Sequence, residues 1–221
     1  MSFKLFNYPQ QAAFGKVLPK SKIYEFAKPS NVVRELFIKQ LEQIVWGYKL
    51  SPDTINIPPS DGIQEIQILK MQSKVPEINH EIYRAIDEAI PSHIFYEVSF
   101  GNKVKLVGAY KRPSDADPSK WVTGVYFESE WIPNTTAKTN IPVALNIGGL
   151  YTQMLRILMG DSGREGETLK SQVGRIELIR LKTTELNKLK IKLNKEKQFN
   201  RKVEINSEIK NLETLLIKLS C

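Results

Sequence analysis

Residues 176–219 read IELIRLKTTELNKLKIKLNKEKQFNRKVEINSEIKNLETLLIKL, and this stretch decides how the chain is organised. From its far end, Ile205, Ile209, Leu212, Leu216 and Leu219 recur at alternating steps of four and three, the seam of a helix that packs on another helix. Upstream, Ile179, Leu186, Leu189 and Leu193 keep the same kind of step, interrupted at Lys182. The interval from Leu193 to Ile205, at about 100° per residue, puts the two seams on faces roughly 120° apart, so one straight helix cannot present both to one partner. Pairing Leu193 with Ile205, Leu189 with Ile209, Leu186 with Leu212 and Ile179 with Leu219 holds a single antiparallel register. A helical hairpin with its tip near Phe199 and Asn200 meets every pair at once. An intermolecular antiparallel pair obeys the same register but requires each helix to change faces midway, so the intrachain hairpin is the expectation. Its tip is basic: Lys188, Lys190, Lys192, Lys195, Lys197, Arg201 and Lys202 stand against only Glu196.

Working outward, Gly160-Asp161-Ser162-Gly163-Arg164-Glu165-Gly166 has three glycines and no apolar anchor, and reads as a hinge. The expected organisation is a globular domain over 1–160, a flexible linker over 161–167 and a helical arm over 168–221. A phosphate loop would follow a strand and end in Gly-Lys-Ser/Thr, neither of which holds here.

Before the hinge, residues 1–29 show no period and read as an extended arm over the core. Val33, Leu36, Phe37, Gln40, Leu41, Ile44, Val45 and Tyr48 fall at helical spacing, which predicts one amphipathic helix from Asn31 to Lys49, ended by Ser51-Pro52-Asp53. Ile55-Asn56-Ile57 reads as an extended link before the Pro58–Gly62 turn. Glu65 to Met71 alternates as a strand with Ile66 and Ile68 inward. A second helix is expected over Glu77–Ala89, closed by Pro91. Strands Ile94–Phe100 and Val104–Tyr110 join through Gly101-Asn102, a pair that accepts positive φ in a hairpin turn. A polar loop, Arg112–Ser119, precedes a strand over Trp121–Trp131, and after the loop at 133–142 a third helix runs from Leu145 to Met159. The order predicts an α+β fold, a mostly antiparallel sheet covered by helices.

A formal charge of +8 and a pI near 9.4 point mildly to an acidic partner, though a Lys-rich soluble surface has the same composition. The single cysteine, Cys221, excludes a disulfide framework. No apolar run suits a membrane span or a cleaved leader, so a cytoplasmic protein without membrane contact is expected. Asn134-Thr135-Thr136 fits the glycosylation pattern and is a chance match in that setting.

Candidate chemistry is sparse. The two histidines, His80 and His93, lie outside any metal-ligand spacing, and neither has a nucleophile signature around it. A restriction-type nuclease core needs an acid and then Glu-x-Lys on a strand, so that two carboxylates hold a divalent ion beside the lysine. Asp61 and Glu65 suit the acids, but residue 67 is Gln and Lys70 is out of register. The one clean Glu-x-Lys, Glu208-Ile209-Lys210, flanks the hairpin seam. Tyr110-Lys111-Arg112 and Trp121 mix basic and aromatic groups as a single-strand binding edge does, and equally as the rim of a core does. The basic tip is the leading candidate. No catalytic residue, cofactor or metal is expected.

Several stretches together carry a resemblance: Lys195-Glu196-Lys197-Gln198-Phe199-Asn200-Arg201-Lys202-Val203-Glu204-Ile205-Asn206, Trp46-Gly47-Tyr48-Lys49-Leu50-Ser51, Thr54-Ile55-Asn56-Ile57, Glu65-Ile66, Ala109-Tyr110-Lys111 and the Trp121–Trp131 strand. They resemble the bacterial domain-of-unknown-function family 4391 nearly end to end. That resemblance implies a small companion encoded beside DNA methyltransferases and superfamily-two helicases in restriction or phage-defence clusters, with no activity to carry over. Lys49, Thr54, Asn56, Glu65 and Lys111 fall in the shared motifs and are polar positions of interest. The expectation is therefore a non-catalytic accessory protein that binds a larger partner, a helicase or methyltransferase, through the arm. The arm serves protein contact, DNA contact or both, with Lys190, Lys192, Lys195, Lys197, Phe199, Arg201 and Lys202 as the nucleic-acid or partner-binding residues. The alternatives are a divalent-metal nuclease near Asp61 and Glu65, or a homodimeric structural module.

Overall fold

The computed structural model describes the chain except for residues 1, 2, 4, 61, 115, 118–120, 161, 162 and 221. The chain divides into two compact units, Met1–Ser162 and Gly163–Cys221. In the first, chain order runs β1 (Phe6–Asn7), β2 (Ala13–Val17), α1 (Lys20–Ala27), α2 (Asn31–Gln40), β3 (Leu41–Leu50), α3 (Pro52–Ile55), β4 (Ile66–Ser73), α4 (His80–Ala89) and β5 (His93–Phe100). It continues with β6 (Lys103–Pro113), β7 (Trp121–Glu128), β8 (Ile132–Pro133), β9 (Thr139–Asn140) and α5 (Ile147–Met159). The main sheet has the order β2-β3-β4-β5-β6-β7, with β8 also on β6. Only β4 and β5 pair in parallel there, joined through α4, so the sheet is mostly antiparallel, as the sequence predicts. β1 and β9 make a separate parallel pair.

The expected helix over 31–49 stops at Gln40, and its second half is strand β3. Two register shifts, between Leu41 and Gln43 and between Trp46 and Tyr48, make β3 bury Leu41, Ile44, Gly47 and Leu50. A twice-bulged strand thus repeats every third residue, the spacing that reads as helical. Gly47 suits the second shift, because a Cβ there would lie 3.1 Å from the Ile68 carbonyl and press the neighbouring strand away by a few tenths of an ångström. The end of α2 is fixed from outside: Lys20 Nζ donates to Phe37 O at 2.9 Å, Lys74 Nζ to Ile38 O at 3.0 Å, and Lys74 N to Gln40 O at 2.8 Å. These donors satisfy carbonyls that a continuing helix would have used.

Other expectations change in detail. Residues 1–29 carry β1, β2 and α1 rather than forming only an extended arm. Ser51-Pro52-Asp53 begins the short helix α3 instead of ending one, and that helix takes in Ile55 of the expected extended link. The last expected strand ends at Glu128, and Ile132 then returns to pair with Val104. The β5–β6 hairpin closes through Gly101-Asn102, with Gly101 at φ 57°. Ile66 through Leu69 are all buried, because β4 is covered on both faces rather than one. Leu69, Met71, Ile82, Ile86, Tyr96 and Val98 belong to the core under α1, α2 and α4. Phe95 points to the opposite face and meets Tyr151 of α5, ring centroids 5.8 Å apart.

The second unit is a helical hairpin, α6 (Leu169–Lys195) and α7 (Phe199–Ser220). Leu186, Ile205 and Ile209 form its buried seam, with Leu189, Leu193, Leu212 and Leu216 packed against them. The turn is Glu196-Lys197-Gln198, slightly before the expected tip, and Phe199 opens α7. At the base, Glu167 takes two N–H groups of Arg175, each at 2.8 Å, and that pairing holds its carboxyl down to about 2.

Candidate functional site

Two places gather polar side chains: the junction where α4 meets the sheet, and the tip of the arm. At the junction, α4 ends in carbonyls without helical partners, and Lys111 of β6 supplies their donors. Its Nζ donates to Asp87 O at 2.7 Å, Ile90 O at 2.7 Å and Ser92 O at 3.0 Å, and lies 3.4 Å from Asp87 Oδ1. Three carbonyls need three N–H donors, which only the charged ammonium possesses. Asp87 turns its other oxygen to two phenols, accepting from Tyr126 at 2.6 Å and from Tyr96 at 3.1 Å. Lys111 and Asp87 are 3% and 5% exposed. Burial draws Asp87 up and Lys111 down, and each charge restrains the shift of the other.

His93 lies under the same strand. Its Nε2 is 3.0 Å from Lys111 O, and since a carbonyl only accepts, Nε2 carries the proton. The ring stands edge-on to Tyr151 and Trp121, centroids 4.5 and 5.4 Å away. Burial pushes its pKa down to about 4 and leaves it neutral at neutral pH.

Ser92 joins this knot to a second group. Its hydroxyl donates to Glu65 Oε1 at 2.9 Å, Gln67 Nε2 donates to the same oxygen, and Lys49 Nζ pairs with Glu65 Oε2 at 2.8 Å. Trp46 Nε1 donates in turn to Gln67 Oε1. The register of β3 on β4, with Lys49 opposite Gln67, brings these side chains together. Burial raises the Glu65 carboxyl, but the donors Lys49, Ser92 and Gln67 outweigh it and hold the group below its ordinary value. Lys49 and Glu65 therefore meet, and Lys111 is connected to them through Ser92.

Thr54 and Asn56 do other work. Thr54 Oγ1 accepts from Ser51 N at 2.9 Å and donates to Lys49 O at 2.6 Å, capping α3. Asn56 ends that helix in the left-handed conformation, φ 56°. Asp61 lies outside the described residues. Among the described residues no three His, Cys, Asp or Glu side chains are placed to hold a metal ion. Trp46 also walls an apolar groove of about 320 Å³ with Leu18, Ile23, Phe26, Ile90 and Pro91. On the other face of the sheet Glu97 is 5% exposed, and burial raises its carboxyl against the pull of Lys138 and Lys70.

The tip has a different character. Glu196 Oε1 accepts from Lys197 N at 2.8 Å and from Gln198 N at 3.0 Å, so the one acid of the turn is held by the turn's own backbone just before α7. Lys190 pairs with Glu213 at 2.8 Å. Among the described residues, Lys192, Lys195, Lys197, Arg201 and Lys202 make no salt bridge. Phe199 is 77% exposed beside them, and Ile191 and Val203 are 56% and 52% exposed.

Residues 6–216 match the model of a domain of unknown function, DUF4391, a span that takes in the sheet unit and nearly all of the hairpin. The chain belongs to the DUF4391 family. No curated protein and no solved structure matches it. Because the DUF4391 match crosses both units, the arm is part of the family's domain rather than an appendage to it.

Asp87, Ser92, Gln67, Tyr96, Tyr126 and His93 were not legible as partners of Lys49, Glu65 and Lys111. One signal was present: Asp87 lies four residues after Tyr83 and one after Ile86, a charge on the apolar face of α4. A buried acid at such a position requires a cation from elsewhere in the fold.

Proposed function

We propose that this DUF4391 chain is a non-catalytic accessory protein of a bacterial DNA-processing system, of the restriction-modification or phage-defence kind. It docks through the α6–α7 arm on a larger partner, a helicase or DNA methyltransferase, and contacts nucleic acid with the same arm. One observation carries the reading: Lys192, Lys195, Lys197, Arg201 and Lys202 are in no salt bridge among the described residues, and the one acid of the turn, Glu196, is engaged by the turn's own backbone. Such a surface releases counterions when it meets phosphates, and its binding weakens steeply with salt. The type of system is supported by the family resemblance alone.

The test is binding of the full chain to labelled DNA across a salt series, beside a variant with Lys195, Lys197, Arg201 and Lys202 changed to Gln. Salt-dependent binding that the variant loses supports the reading; equal binding by both proteins refutes the tip as its source. Sedimentation at increasing concentration tests the homodimeric alternative.

A second reading, divalent-metal nuclease chemistry near Asp61 and Glu65, is favoured by one contact. The lysine missing from position 67 is replaced in space by Lys49, 2.8 Å from Glu65. Against it, both Glu65 oxygens already accept from protein donors. Mg²⁺-dependent cleavage of DNA, abolished by Glu65→Ala, would establish it.

A further inference from the structure

We propose that the tip of the arm selects single-stranded nucleic acid, with Phe199 as a platform for an unstacked base and the neighbouring cations as its phosphate contacts. The inference rests on the nucleic-acid reading of the arm given above and adds the form of ligand that the arm takes.

Phe199 is placed where the hairpin has no use for it. The seam of α7 runs through Ile205, Ile209, Leu212 and Leu216, and its alternation of three and four continues back from Ile205 to positions 202 and 198, passing over 199. The ring is accordingly left 77% exposed at the first residue of α7. Lys197 and Arg201 lie two residues to either side of it in sequence, and neither is in a salt bridge among the described residues. An aromatic face set among cations outside any salt bridge is the pairing that binds a single strand, because bases stack on the ring while phosphates meet the charges. In a duplex the base faces are already stacked and the ring gains little, so the preference follows from the geometry of the ligand. Val203, one turn further along the helix, extends the apolar surface. A ligand that used Val203 as well would be a protein, and the test separates that case.

The experiment measures the full chain against a labelled single strand and the duplex of the same length, at matched salt. It compares the wild type, Phe199→Ala, Phe199→Trp and the four-site Gln variant. Phe199→Ala is expected to lose about tenfold in affinity for the single strand, the scale of one base stack, with little change in salt slope or duplex binding. Phe199→Trp retains the affinity, and its emission is quenched by the single strand only. The Gln variant loses binding to both forms. If Phe199→Ala changes neither ligand, or both equally, the inference is overturned, while the phosphate-contacting role stands as long as the Gln variant still loses binding. If the wild type binds neither form, both ideas fail and Phe199 with Val203 becomes a protein-docking stripe. Circular dichroism of each variant confirms that the hairpin is intact.

Discussion

The knot around Lys111 and the tip around Phe199 are both rich in charge, and they differ in where those charges find partners. At the knot, Lys111 meets carbonyls of α4 and the segment after it, Asp87 meets two phenols, and Glu65 meets three donors. At the tip, Lys192, Lys195, Lys197, Arg201 and Lys202 lack salt bridges among the described residues. A charge engaged inside the fold is a fastening, and removing it costs stability. A charge left in solvent contributes little to folding and remains available to a ligand. The two regions should therefore answer substitution in opposite currencies, stability at the knot and binding at the tip.

The largest effect should come from Lys111→Met, which leaves Asp87 buried without its cation and three carbonyls without donors. We expect a loss of about 3–5 kcal/mol in urea unfolding. Asp87→Asn combined with Lys111→Met should cost less than the sum of the two single changes, since no uncompensated charge then remains. A loss below about 1 kcal/mol for Lys111→Met alone would show the knot to be solvated and would remove the contrast with the tip.

Acid should act next in size, through His93. Its folded pKa, about 4, lies below the ordinary 6.5, so the unfolded chain takes up the proton first. The stability held by neutral His93 is complete above pH 6.5 and is lost as pH falls toward 4, by up to about 3 kcal/mol. His93→Gln keeps a neutral donor for the Lys111 carbonyl and should flatten that slope. Urea midpoints measured between these pH values, for both proteins, check it. Equal slopes would place the acid sensitivity elsewhere.

Glu65→Gln should be milder. Lys49 is 42% exposed, so solvent screens the ion pair. We expect about 1 kcal/mol, read from the same unfolding curves. A loss as large as that of Lys111→Met would mean that the Glu65 group and the knot form one cooperative network through Ser92.

How much of this could be read in the sequence follows from the range of the interactions. The hairpin was legible because its seam is local and periodic, and the parallel β4–α4–β5 unit left two strands and a helix that local patterns also display. The helix expected over 31–49 failed for a physical reason: bulges in β3 produce a three-residue repeat, and the donors that stop α2 come from Lys20 and Lys74, distant in sequence. In the knot, Lys111 and Glu65 were flagged one at a time, but Asp87 and Ser92 become their neighbours only when the sheet forms. The tip needed no tertiary partner to be noticed, which is also why its basic residues remain available.

The smallest expected effect on folding is the most informative about the tip. Changing Lys195, Lys197, Arg201 and Lys202 to Gln removes four positive charges from one end of the arm. None of the four is in a salt bridge among the described residues, and the turn keeps the backbone hydrogen bonds to Glu196, so unfolding should shift by no more than about 0.5 kcal/mol. Relief of repulsion among neighbouring cations acts in the opposite direction and favours the hairpin, because like charges one helical turn apart disfavour the helix. Hydrogen exchange on the α6 and α7 amides resolves the sign. Unchanged or increased protection means that the native sequence keeps these charges at a folding cost or at none, as a ligand-binding surface requires. Reduced protection would mean that the cations brace the hairpin itself, and the contrast between the two regions would collapse.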